Sequence, residues 1–91
     1  MSVFNYKAVF IRQEENEVFY SFYPEYICFE NVTGEFRIDL ESWKIYIISK
    51  ANINDWDSAY CNERPAMALT YKIRKFFEDN NKFPMEVFHI A

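Results

Sequence analysis

At 91 residues, with 51% hydrophobic and 21% aromatic side chains, the chain is long enough to bury one core and far too apolar for disorder, so a single folded domain over residues 1–91 is expected. Its formal charge of −4 is unevenly placed: eight acidic and three basic residues precede Trp43, whereas six acidic and seven basic residues follow from there. The sign argues against a phosphate-tracking surface, and apolar runs of only a few residues leave no span for a membrane.

From Val3 to Arg12 the pattern alternates, with Phe4, Tyr6, Ala8 and Phe10 on one face, and predicts a strand. Gln13 to Glu17 reads as a polar turn and Val18 to Tyr23 as a second, aromatic-rich strand, completing a hairpin. Pro24 and Glu25 interrupt the pattern, after which Tyr26 to Val32 reads as a third strand. Gly34, the single glycine, is expected to supply a positive φ in the next turn. Glu35 to Leu40 and Trp43 to Ile48 alternate again and give strands four and five; a helix from Asp39 to Ser49 competes, but the β-branched and aromatic content opposes it. Residues 49–57 read as a polar loop.

Asn62 to Asn80 is the one convincing helix. Ala66, Leu69, Ile73, Phe76 and Phe77 recur at three- and four-residue spacing on one face, with Arg64, Lys72, Lys75 and Asp79 opposite. Asn62 is the expected cap, Pro65 suits the first turn, and Asn80 or Asn81 can take the left-handed conformation that ends the helix before Pro84. Glu78 and Asp79 sit at the unfavourable end of the helix dipole. Met85 to Ile90 closes the chain as a short strand. The expected fold is α+β: a largely antiparallel sheet of five to six strands with the helix packed across it.

Phe19, Tyr20, Phe22 and Tyr23 make the second strand apolar on both faces. One helix covers one face, so the other must curl, meet a partner or stay exposed, and a homodimer is the economical expectation. The segments Tyr6-Lys-Ala-Val-Phe10, Glu14-Glu15 and Phe19-Tyr-Ser-Phe22 resemble the opening hairpin of HicB-type antitoxins, which sequester a small ribonuclease toxin. The resemblance implies that such a hairpin can belong to a non-enzymatic inhibitor. The chain departs from that family afterwards, lacking its Pro-Gly-Cys turn and alanine-rich helix.

Candidate chemistry is sparse, and no catalytic residue, metal ligand or cofactor is expected. His89 is the lone histidine, flanked by Phe88 and Ile90 in a late strand, without a local nucleophile partner. Asp55-Trp56-Asp57 with Asn52 and Asn54 offers oxygens but lacks the glycine and distal glutamate of a calcium loop. A single glycine provides no phosphate-cradling loop. Asp39 and Glu41 alternate on an outer face and read as solvated. Cys28 and Cys61 lack metal spacing and no secretory leader is read before them, so buried free thiols and a cytoplasmic location are expected.

The binding features are stronger. Glu14, Glu15, Glu17, Glu30 and Glu35 supply an acidic field, Phe19, Tyr20 and Tyr23 aromatic anchors, and Met67 and Tyr71 interface-type side chains near the basic side of the helix. Abundant Phe, Tyr, Ile, Asn and Lys imply an AT-rich genome, in the style of small phage and mobile-element proteins. The expected function is a small acidic, non-enzymatic protein that binds a basic surface on a larger protein and inhibits it, such as a phage or mobile-element inhibitor of a host defence or nucleic-acid enzyme. The alternative is a small-molecule or nucleotide binding module with an aromatic-lined pocket at a dimer interface. Direct nucleic-acid binding is disfavoured by the acidic first half.

Overall fold

In the computed structural model, which describes residues 4–90, the alternating stretches become β1 (Asn5–Glu14), β2 (Glu17–Tyr23), β3 (Gly34–Asp39), β4 (Ile45–Ser49) and β5 (Glu86–Ile90). They form one antiparallel sheet in the order β4-β3-β2-β1-β5. The expected start of the first strand at Val3 lies outside the described residues. β1 and β2 are joined by the two residues Glu15 and Asn16, with Glu15 at φ 46°. Along this pair Phe10 faces Tyr20 and Arg12 faces Phe19, leaving Ile11 as an extra residue in β1. Such a bulge bends the strand and tightens its twist.

Helix α1 (Ser58–Cys61) leads into α2 (Glu63–Asn80). Ala66, Leu69 and Ile73 of α2 pack on Tyr6, Ala8, Val18, Tyr20, Phe22, Phe36 and Ile38. The expected stripe is corrected at Phe76, which is exposed; Phe77 instead stacks on Phe83, 4.5 Å between ring centres. A face centred between Ala66 and Ile73 meets Phe77 after four more residues, whereas Phe76 falls about 100° from Phe77, at the outer margin of that face. Asn81 ends the helix at φ 56°, donating its N–H to the Phe77 carbonyl (2.7 Å), in the conformation expected of it.

Four further expectations are corrected. Residues 26–32 form turns instead of a strand, because the buried Glu25 carboxylate accepts from the backbone N–H groups of Asn5 (3.0 Å), Ile27 (3.2 Å) and Cys28 (3.3 Å). A side chain that satisfies successive amides removes their need for a ladder, and β2 pairs directly with β3. Asn62 does not cap α2. Its amide is buried, accepting from Ala51 N–H (2.7 Å) and donating to the carbonyls of Ala51 (3.0 Å) and Ser58 (2.9 Å), while Asp57 caps α1 through Ala59 N–H (2.9 Å). Gly34 has no positive φ: it opens β3 where an added Cβ would stand 2.5 Å from the Ser49 carbonyl oxygen. The loop before α1 is only partly polar, since Ala51 and Ile53 are buried. The helix competing for Asp39 to Ser49 does not form; Trp43 turns the chain at φ 60° into β4.

The outer face of the sheet also differs from expectation. Tyr20 and Phe22 point into the core, whereas Phe19 lies beneath the Arg12 guanidinium (3.9 Å) and Tyr46 beneath that of Arg37 (4.2 Å). Lys7 sits over Tyr23 (4.8 Å) and Tyr26 (5.7 Å). Cations from neighbouring strands therefore cover aromatics that the sequence left in need of a cover.

Candidate functional site

A groove of about 500 Å³ lies between the edge strand β4 and α2, lined by Trp43, Lys44, Ile45, Tyr46, Met67, Thr70, Tyr71 and Arg74. Its floor follows from the helix stripe: Leu69 and Ile73 hold α2 to the sheet, so Thr70 and Arg74, one position further on, tilt toward β4. Met67 and Tyr71, 63% and 67% exposed, form the helix wall, and Ile45 stands on the strand side, since the Tyr46 ring turns to the outer face beneath Arg37. Arg74 lies over the Trp43 ring at 5.2 Å and reaches Glu78 at 3.4 Å. Thr70 is buried and its hydroxyl has no hydrogen-bond partner, although a helical threonine commonly bonds the carbonyl four residues back. Met67 and Tyr71 were legible from the sequence as interface-type residues. Trp43, Lys44, Thr70 and Arg74 were not, because what unites them is the approach of β4 to α2; the spacing of 67, 70, 71 and 74 was the available signal.

The expected acidic residues divide. Glu14, Glu15 and Glu17 meet at the β1–β2 tip, with Asp39 opposite Glu17 and Glu41 in the next turn. Two of these charges are locally answered, Glu14 by Arg12 and Glu17 by Arg37 (2.7 Å). Glu35 faces Ser21 at the other end of β3, four residues or about 13 Å from the Glu17 row, and Glu30 is exposed in the turns before it. One continuous acidic face is therefore not formed. Of the expected aromatic anchors, Tyr20 is removed from any contact surface by complete burial, and Phe19 is covered by Arg12; Tyr23 remains half-buried under Lys7.

The remaining candidates have structural settings. His89 stacks on Tyr6 with ring centres 5.3 Å apart. Trp56 packs edge-on against Phe4 (5.1 Å) and Phe29 (5.8 Å), and Asp57 is spent on its cap. Both cysteines are free; Cys28 is exposed, contrary to the expected burial, while burial raises the Cys61 thiol, opposed by a backbone bond from Ile53 and aided by the Asp57 charge. Burial likewise raises the Tyr6 phenol, with Arg64 pulling it back. Among the described residues no helix is long and apolar enough to cross a membrane.

No protein-family model matches the chain, and no curated protein and no solved structure is matched by it.

Proposed function

We propose that this is a small acidic, non-enzymatic protein that docks on a larger protein and blocks it. The observation that carries the reading is the β4–α2 groove, where exposed Met67 and Tyr71 stand beside Trp43 and Arg74. Tyrosine, tryptophan, methionine and arginine are the side chains that interface centres enrich, and a groove of this shape accepts an anchoring group from a partner. The carboxylates at the β1–β2 tip add a negative field that steers encounter with a basic surface. An enzyme acting on nucleic acid offers such a surface, and the AT-rich composition suits a phage or mobile-element inhibitor of a host defence enzyme in the bacterial cytoplasm. The homodimer expected from two-sided strands has less to drive it, since Phe19, Tyr23 and Tyr46 lie under the protein's own cations.

The test is affinity capture from a lysate of the host, followed by binding measurements on the captured protein. Tyr71→Ala and Met67→Ala should each weaken the complex without unfolding the protein. A captured partner indifferent to both would refute the groove as the docking surface.

A second reading has its own observation: a hollow of about 550 Å³ lined by Phe4, Trp56 and Tyr60 with Asp55 and Asp57, where a planar small molecule or nucleotide base could stack. Calorimetric titration with nucleotides that Trp56→Leu abolishes would support it, and the absence of heat would remove it.

A further inference from the structure

The two edges of the sheet are finished differently. On β5 the Phe88 carbonyl accepts from Lys72 Nζ at 2.9 Å, so a side chain of α2 occupies part of that edge. Among the described residues no side chain bonds the backbone of β4 in this way. Pairing with β3 consumes the backbone groups of every second β4 residue and turns the others outward. A strand whose outer edge is unpaired, with exposed Tyr46 and Ile48, is a template for a further strand.

Charge decides which kind of strand fits. Lys44 and Lys50 bracket β4, Arg74 stands across the groove, and no carboxylate lines it. The three ion pairs among the described residues use Arg12, Arg37 and Arg74, leaving both lysines free of one. A second copy crossing antiparallel about Ile47 would set Lys44 directly opposite Lys50 at both ends, a like-charge arrangement that destabilises a strand pair. A strand carrying carboxylates meets the reverse situation. Thr70 adds a polar element: rotation about χ1 exchanges its methyl and its unpartnered hydroxyl, presenting a donor to whatever enters the groove.

We infer that β4 is the docking edge for an extended acidic segment of the partner protein, which adds as a further antiparallel or parallel strand and sends alternate side chains into the groove between Trp43, Met67, Thr70, Tyr71 and Arg74. The inference rests on the groove being the docking surface of the proposed function and names its occupant.

The probe is an end-blocked octapeptide alternating valine and glutamate, compared with its valine–lysine counterpart and with a version N-methylated on one edge. Hydrogen exchange and amide resonances of the intact protein are followed during titration. The acidic peptide should slow exchange at least tenfold at the β4 amides that face away from β3 and shift Thr70 and Tyr71; the lysine and N-methylated peptides should bind at least tenfold more weakly. Silence at β4, or equal binding of the lysine peptide, overturns the inference. So does β4 protection that grows with protein concentration alone and sediments as a dimer, which would make the occupant a second copy. Shifts at Met67 and Tyr71 without β4 protection would sink strand addition yet leave the groove standing, whereas a captured partner insensitive to Tyr71→Ala sinks the underlying reading.

Discussion

Tyr20 shows how much of this fold hangs on single side chains with two chemistries. Its ring fills the core and its hydroxyl donates to the Pro84 carbonyl at 2.7 Å, tying the chain that leaves α2 onto the centre of the sheet. Burial raises the phenol well above its ordinary value of 10.0, so the native state prefers the neutral form. With the folded value above the unfolded one, this stabilisation is complete below about pH 10 and is lost as pH climbs beyond it toward the folded value. Tyr20→Phe should cost about 1–2 kcal/mol at neutral pH by orphaning the carbonyl, and should flatten the alkaline loss; urea unfolding at both pH values checks it. Gly34 is equally committed. An added methyl would meet the Ser49 carbonyl oxygen at 2.5 Å and the Phe22 ring at 2.6 Å, so Gly34→Ala should lower stability by about 1–3 kcal/mol in a thermal melt. The residue's importance was visible in the sequence as the lone glycine, but its reason was not: the constraint is a close approach between strands, not a left-handed backbone.

At the scale of elements, the stretches legible in the sequence were those whose pattern is local. Alternation located β1 to β5 apart from a residue or two at their ends, and the 66, 69, 73 spacing located α2. Reading failed where a side chain bonds backbone far away in the chain. Glu25 reaches Asn5, 20 residues earlier, and Asn62 reaches Ala51, 11 residues earlier, and no periodicity announces either. The same holds for the cation-covered outer face: Arg12 meets Phe19, and Arg37 meets Tyr46, only because register sets them opposite. Asn62→Ala should therefore cost about 2 kcal/mol and speed hydrogen exchange in residues 50–57 while leaving the β1–β2 amides protected. Uniform acceleration across the sheet would mean that the clamp and the core are one cooperative unit.

At the scale of the whole molecule, charge separates into an acidic β1–β2 tip and a basic β4–α2 groove, a division hidden in the sequence because Lys44 and Arg74 come together only through the fold. Raising salt from about 0.05 to 0.5 M shortens the Debye length from roughly 14 to 4 Å, so association with a basic partner should slow more than dissociation accelerates. Reversing Glu14, Glu15 and Glu17 together should reproduce that slowing in stopped-flow measurements, and reversing Glu78 and Asp79 should not. Exposed ion pairs such as Arg37 with Glu17 contribute little to stability, so the fold should survive the first of these changes.

The groove is decisive, and a truncation on its helix wall compared with one on the opposite edge strand β5 tests it. Tyr71 stands on the groove wall and Phe88 on β5, both exposed and aromatic. With the captured partner, equilibrium titration of Tyr71→Ala should show a dissociation constant raised tenfold or more, about 1.4 kcal/mol, at an unchanged melting temperature, while Phe88→Ala stays within about twofold of the parent. An unchanged affinity for Tyr71→Ala with a large loss for Phe88→Ala would place the docking surface on the other edge and contradict the account.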